Sequence, residues 1–208
     1  MRSAIRRSPV TRMHGVLGAS LETEAGWEIV ARYSGEAGER ALLREAVALA
    51  DVTPRGKVDV RGPVDGAISV AGDALTARVA EDWALVLTEP GGEEVLLPKM
   101  EQAADPSSMV TDATHLFAGF ALAGPSLPEV LARLTSWDPA TLPDGSATGA
   151  PIADVRAIVL RRDLEVPALE LYVATEFARY VWESVLDAVR RVDGGPAGWR
   201  ALRAEGWS

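Results

Sequence analysis

The 208-residue sequence contains no cysteine, and this absence removes several kinds of chemistry. A chain without thiols has no disulfide framework, no thiolate nucleophile and no cysteine-ligated zinc or iron–sulfur centre. Histidine is almost as rare, because only His14 and His115 occur, in unrelated sequence contexts. They give no spacing typical of a metal site or of a histidine-centred triad, so we interpret each as structural or surface-exposed.

Long apolar runs and an excess of positive charge are also missing. No run approaches the roughly 20 residues of a membrane span, and the basic start MRSAIRR leads into polar residues instead of an apolar signal core. The formal net charge of −9 disfavours a general nucleic-acid binder, which needs a basic face. These absences predict a cytoplasmic protein that binds neither a membrane nor nucleic acid.

What is present is typical of a folded α+β chain, with 48% hydrophobic and 25% charged residues. The stretch ALADVTPRGKVDVRGP, residues 48–63, predicts a turn at 53–56 followed by a strand. In that strand the two valines should face a core and the three charged residues should face water: Val58 and Val60 inward, and Lys57, Asp59 and Arg61 outward.

Further elements are predicted from the spacing of apolar residues. The predicted strands are 26–33, 67–70, 75–80, 83–88, 117–123, 152–161 and 169–173. The predicted helices are 35–49 with Ser34 as its cap, a segment after Pro90 that ends near Ala103, 127–134, and 175–191. Seven strand side chains are expected in cores: Val58, Val60, Leu85, Leu87, Phe120, Leu122 and Leu171.

Residues 135–151 are rich in proline, glycine, aspartate and serine, and they predict a loop. We interpret this loop as the boundary between two parts of the chain. The first part, 1–134, is an N-terminal α+β unit. The second part, 152–208, is a strand and helix unit that completes the fold.

The stretch 51–63 resembles the D-V-S-H-M-G-K-x-x-V-x-G-P signature of the folate-dependent aminomethyltransferases of glycine cleavage, the T-protein family. The matching residues are Asp51, Val52, Gly56, Lys57, Val60, Gly62 and Pro63. Thr53 is a mild replacement, whereas Pro54 and Arg55 depart from the signature.

Four later stretches resemble that family in the same order. Residues 83–87 resemble its "y-l-l-v-v" strand and 120–125 its "a-l-x-G-P" junction. Residues 170–173 resemble its "G-x-E-L-y-v" strand, and 198–206 its "G-x-x-A-R-D-x-L-R-L-E-A-G" terminal motif. The resemblance implies a two-part aminomethyltransferase-like folate-binding fold, with antiparallel or mixed sheets and packed helices, that lacks the C-terminal domain of the T-protein.

The departures from the family pattern concern its catalytic and folate-binding segments. The G-G-x-x-D-D segment, which supplies the acidic residue at the folate's reacting nitrogen, has no counterpart between Pro63 and Trp83. A similar pair of acidic residues, Glu93 and Glu94, comes only after the 83–87 strand. There it falls in the first turn of a predicted helix, where the helix dipole already favours acidic residues. The resemblance therefore implies no catalytic residue. The family's G-Y-T-G-E-D stretch is replaced by 162–167.

Four residues occupy or neighbour positions that match the family's folate-contacting strand and terminal motif: Arg161, Glu165, Arg203 and Glu205. By resemblance they would hold a pterin or glutamyl tail of tetrahydrofolate through charge-assisted hydrogen bonds. The alternative is that Arg203 and Glu205 only tie the last helix to the strands. No metal site is expected.

The compact pattern is more similar to the gamma subunit of heterotetrameric sarcosine oxidases, a short relative of the T-protein. That resemblance implies an accessory subunit without chemistry of its own, beside a larger subunit that carries flavin and handles folate. Trp199, Leu202 and Trp207 are then expected to pack on the partner.

Two other functions stay open. The chain could be a reduced or split aminomethyltransferase that binds tetrahydrofolate itself. A folate-dependent RNA-modification helper of the same superfamily is disfavoured, because its cysteine motif cannot exist in this chain.

Overall fold

The structure is a computed structural model that describes residues 4–207. Within those residues the chain forms seven α-helices: α1 (Thr11–Val16), α2 (Glu36–Glu45), α3 (Asp65–Ile68), α4 (Glu93–Ala103), α5 (Leu127–Leu134), α6 (Ala178–Arg190) and α7 (Trp199–Ala204). Two 3₁₀ turns cover Pro139–Thr141 and Thr175–Phe177. None of the described helices is long and apolar enough to cross a membrane.

Twelve strands lie in the same range. They are β1 (Ser20–Glu24), β2 (Trp27–Arg32), β3 (Ala48–Asp51), β4 (Gly56–Arg61), β5 (Leu75–Ala80), β6 (Trp83–Thr88), β7 (Met109–Asp112), β8 (Phe117–Ala123), β9 (Ala147–Ile152), β10 (Val155–Arg161), β11 (Ala168–Ala174) and β12 (Gly195–Pro196).

The strands of the described chain form three sheets. β1 and β2 make a hairpin, a larger sheet has the order β12-β3-β8-β11-β10-β9, and a four-stranded sheet has the order β5-β6-β4-β7. Neighbouring strands run antiparallel, except that β12 runs parallel to β3. This arrangement confirms the predicted α+β class with antiparallel and mixed sheets and packed helices.

β8 lies inside the larger sheet and is covered on both faces. Phe120 and Leu122 pack with the apolar sides of α5 and α6. Ala121 and Ala123 point to the opposite face, where Trp27 of β2 packs. Because both faces are buried, the strand is an almost continuous apolar run, and the predicted bounds 117–123 are confirmed.

The four-stranded sheet packs between helices and the larger sheet. Val58 and Val60 of β4 lie in a core with Leu96 of α4. On the other face, Leu85 and Leu87 of β6 contact the larger sheet in a core that also contains β10 and β11 residues. All seven side chains predicted to face cores are buried, with at most 1% exposed: Val58, Val60, Leu85, Leu87, Phe120, Leu122 and Leu171.

The predicted helix 35–49 is too long. α2 ends at Glu45, and residues 48–51 form β3, which pairs with both β8 and β12. Strand pairing in a fully buried position decides the conformation here over local helical periodicity. Ser34 does not cap the helix with its side chain; the N-cap residue is Gly35.

Two further local predictions are wrong. Residues 67–70, predicted as extended, fall in and just after the short helix α3, so that Ala67 is buried in the core below α4. Trp199, Leu202 and Trp207, predicted to pack on a partner, are instead 3%, 2% and 3% exposed within this chain. They fill its own core against Trp27 and neighbouring residues.

The segment 135–151 is only partly a loop, because its end forms β9, which pairs with β10. β8 and β3 come from before this segment and β10 and β11 from after it, yet all four join the larger sheet. The division into 1–134 and 152–208 stays a prediction.

Candidate functional site

The resemblance-bearing stretches 51–63 and 170–173 meet in the interior. We call the group formed by Asp51, Arg55, Lys57, Glu170 and Tyr172 the polar centre. Asp51 ends β3, the turn after it carries Arg55, β4 begins just before Lys57, and β11 supplies Glu170 and Tyr172. All five side chains are buried.

Glu170 is fully buried, and its carboxylate oxygens have several partners from this chain. The Tyr172 hydroxyl donates to Oε2, and the Trp207 indole Nε1–H donates to Oε1 at 2.7 Å. The nearest guanidinium nitrogens of Arg55 and Arg162 lie 3.4 and 3.6 Å from Oε1. Burial, and then the Glu170 charge, raise the pKa of Tyr172 well above its usual value, which keeps its hydroxyl protonated as a donor.

Lys57 is also wholly buried, although the alternation in β4 predicted that it faces water. Its Nζ donates to the carbonyl oxygens of Thr53 and Arg55, both at 2.8 Å, and to that of Thr114 at 3.3 Å. Burial lowers the pKa of Lys57 to about 7, while the nearby Asp51 and Glu93 charges oppose this shift.

The prediction that Asp59 faces water is also wrong. Asp59 is buried, accepts a hydrogen bond from the Trp83 indole at 2.7 Å and pairs with Arg61 at 2.8 Å. Alternation predicted the strand and its inward valines correctly. It assigned the other face of β4 to solvent, because a single sequence does not reveal that the larger sheet covers that face.

Asp51 links the polar centre to α1 and β2 through a histidine. His14 Nε2 lies 2.7 Å from Asp51 Oδ2, and the Tyr33 hydroxyl lies 2.7 Å from His14 Nδ1. Burial opposes ionisation of Asp51, but hydrogen bonds from His14, Ser8 and Thr53 outweigh it and lower its pKa. The buried His14 has the structural role that the sequence predicted for it, whereas His115 is exposed and stacks on Trp27.

The four predicted cofactor residues do not gather in the polar centre, although Arg203 reaches its edge through Glu89, whose Oε1 lies 4.0 Å from Arg55 Nη1. Arg161 ends β10 and pairs with Asp163 at 2.6 Å. Arg203 on α7 pairs with Glu24 at 2.6 Å and with Glu89 at 2.7 Å.

The two predicted glutamates line the same surface concavity, close to Arg44. Glu205 pairs with Arg40 at 2.6 Å and with Arg44 at 3.0 Å. Glu165 shares a small surface concavity with Glu205. The assignment of Arg161, Glu165, Arg203 and Glu205 to a cofactor stays a prediction. The pair of Arg203 with Glu24 joins α7 to β1, as the helix-anchoring alternative expects, whereas Glu205 pairs with α2.

Of the two glutamates at the start of α4, one is buried and the other is exposed. Glu93 is buried beside Gly56, with Arg6 Nη1 3.3 Å from its Oε1. Its Oε2 accepts no hydrogen bond within residues 4–207. Glu94 is exposed and pairs with the same arginine at 3.0 Å.

The sequence predicted no site role for Glu170 or Arg55, and it assigned Trp207 to a partner surface. One signal was available, because a glutamate inside the apolar strand ALELYVA must either face a polar partner or destabilise the core. The sequence did not identify the partners, because Arg55 and Trp207 belong to distant segments. In the observed conformation no acidic or basic side chain of the polar centre is exposed.

The family described as "GCVT N-terminal domain" matches residues 64–206. An aminomethyltransferase of Saccharopolyspora erythraea is 26% identical over 94% of this chain and 61% of its own length. One from Mycobacterium tuberculosis is 31% identical over 95% of this chain and 62% of its own length. The chain thus spans about three fifths of these curated relatives.

Two solved structures have similar folds. The glycine cleavage system aminomethyltransferase T from Bartonella henselae superposes with a TM-score of 0.80 and 19% identity, over 97% of this chain and 62% of that one. A chain of heterotetrameric sarcosine oxidase from Corynebacterium sp. U-96 gives a TM-score of 0.67 and 18% identity, over 91% of this chain and 97% of that one. The fold implied by the sequence resemblance is confirmed.

Proposed function

The chain belongs to the GCVT N-terminal domain family, and on this premise we propose that it is a non-catalytic accessory subunit of a tetrahydrofolate-linked N-demethylating complex. The observation that carries the proposal is the closed polar centre. General acid–base catalysis requires an ionisable group within about 3 Å of the proton that it moves. Glu170 is fully buried among its own partners, so it cannot reach a substrate in this conformation.

The contacts of the polar centre support a role in which this chain does not hold tetrahydrofolate by itself. A pterin ring needs unoccupied donors and acceptors, but Glu170 already accepts from Tyr172 and Trp207. Of the residues predicted to hold folate, Arg203 and Glu205 are engaged in ion pairs at the surface. These contacts support an arrangement in which a larger partner subunit handles both folate and flavin.

The sarcosine oxidase neighbour supports the role of a subunit. The superposition covers 97% of a chain from an assembly described as heterotetrameric. A chain of about this size and fold therefore occurs as a subunit of that oxidase. We place the complex in the cytoplasm.

A second candidate function rests on the relatives' names. The curated relatives are aminomethyltransferases, and one of them is 31% identical to this chain. In this alternative the chain is a reduced or split aminomethyltransferase that binds tetrahydrofolate itself, and Glu93 or Glu94 supplies the acid.

An activity assay distinguishes the two functions. We expect the purified chain to show no transfer of an aminomethyl group to tetrahydrofolate above background, because no acid or base of its polar centre is accessible. Turnover that is lost in the Glu93→Gln/Glu94→Gln variant, but kept when the exposed Glu101 of the same helix is changed to Gln, would favour the alternative. Recovery of the chain from its native cells with a flavin-containing subunit is the positive result expected of the accessory role.

A further inference from the structure

A cavity of about 410 Å³ lies on the face of β10 and β11 opposite the polar centre, between these strands, α5 and the segment 135–146. Its floor is aliphatic and buried, and it is formed by Leu131, Val159 and Leu169. The Trp137 side chain forms part of the wall. The volume falls within the range of about 300–1,000 Å³ typical of small-molecule sites, which are mostly apolar with a few placed polar groups.

The segment that roofs this cavity is held by hydrogen bonds to the strands below. Arg161 Nη1 donates to the Leu142 carbonyl at 2.8 Å, and the Gly145 N–H donates to the Arg161 carbonyl at 3.0 Å. The Asp163 N–H donates to Asp144 Oδ1 at 2.8 Å. These hydrogen bonds hold the segment 135–146 in place above the strands, so the cavity exists before a ligand binds. A ligand then does not have to order this segment, which lowers the entropic cost of binding.

The charged groups at the rim are already matched. Arg161 donates through Nε and Nη2 to Asp163 Oδ2, at 2.9 and 2.6 Å, and Asp163 Oδ1 accepts the Ala168 N–H at 3.1 Å. Asp138 Oδ1 accepts the Ala140 N–H at 2.9 Å. A charged ligand would therefore have to compete with an existing ion pair, whereas an uncharged one leaves the pair intact and gains contact with the floor.

We propose that this cavity is a binding site for an uncharged, largely apolar ring compound. The site is separate from the closed polar centre, and the proposal does not rest on the accessory role. It also gives Arg161 a different task from folate binding, because here its guanidinium braces the roof of an apolar site that lacks the array of polar groups a pterin needs.

The test is a fluorescence titration of the full chain with 1-aminoanthracene, a neutral three-ring compound whose emission rises on leaving water. We expect saturable binding at one site with a micromolar dissociation constant. Ala132 and Ala140 are exposed residues of the cavity wall. Ala132→Trp and Ala140→Trp each place an indole at the mouth of the cavity, where it obstructs the ligand, and each should weaken binding by about tenfold or more. Ala204→Trp, at an exposed residue of another concavity, is the matched control and should bind like the wild type.

The charge of the ligand is tested with anthracene-1-carboxylate, which has the same ring system. We expect it to bind about tenfold more weakly than the neutral compound, since Asp163 occupies the guanidinium. Thermal melting verifies that each variant is folded. The proposal is overturned by no saturable binding below about 200 µM, by wild-type affinity in both mouth variants, or by tighter binding of the carboxylate.

Discussion

Lys57 is an ionisable group in the interior, where its Nζ donates to three backbone carbonyl oxygens. Burial lowers its pKa to about 7, against about 10.4 for an unfolded chain. Between these two pH values the unfolded chain holds a proton that the folded chain does not. The contribution of this residue to the free energy of unfolding therefore rises with pH across that window.

Replacing this lysine tests the shift directly. In Lys57→Met the pH-dependent contribution is absent, so the difference in unfolding free energy, wild type minus variant, should grow by about 2 kcal/mol between pH 7 and pH 9. Denaturant titrations at the two pH values measure it. The chain's other lysine, Lys99, is exposed, and Lys99→Met should give a difference that does not change with pH. A flat difference for Lys57→Met would show that its pKa is not lowered.

Secondary-structure elements were predictable where the local pattern and the tertiary environment agree. β8 and the hairpin of β5 and β6 have the predicted bounds, because an apolar run and a two-residue turn specify them locally. The end of α2 was not predictable, because the helical pattern continues to residue 49, whereas residues 48–51 pair with β8 and β12 in the interior. Information about that pairing lies in other parts of the chain.

The carboxylate of Glu39, in the first turn of α2, joins three segments of the chain. Glu39 Oε1 accepts the backbone N–H groups of Tyr33 and Ser34 at 2.6 and 2.7 Å. Its Oε2 accepts that of Gly198, at the start of α7, at 2.8 Å. This fully buried side chain therefore connects the end of β2 and the start of α2 to the C-terminal helix.

Glu39→Gln should remove part of this connection. An amide has one acceptor oxygen, so one set of N–H groups would face an NH₂ group, and we expect a loss of about 2 kcal/mol in unfolding free energy. Guanidinium denaturation measures it. Glu36→Gln, in the same helix but exposed, serves as the control and should change stability by less than about 0.5 kcal/mol. Equal effects of the two variants would contradict the assigned role.

At the scale of the whole molecule, the six-stranded and four-stranded sheets pack face to face, and interior strands of both sheets, β3, β4 and β11, supply residues of the polar centre. The order of five motif-like stretches predicted the family and the fold, because each stretch is local. The closure of the site was not predictable, since Arg55, Glu170 and Trp207 come from a turn, a strand and a terminal segment far apart in sequence. Trp207 was instead expected on a partner surface, because the sequence alone does not show where a chain end packs.

The central claim is that the chain's own side chains close the polar centre, and a calorimetric titration with tetrahydrofolate tests it most directly. We predict no saturable heat of binding for the isolated chain, with any dissociation constant weaker than about 1 mM. Micromolar binding that Glu170→Gln weakens by about tenfold or more, in a variant that still melts cooperatively, would contradict the claim and show that the centre opens to receive folate.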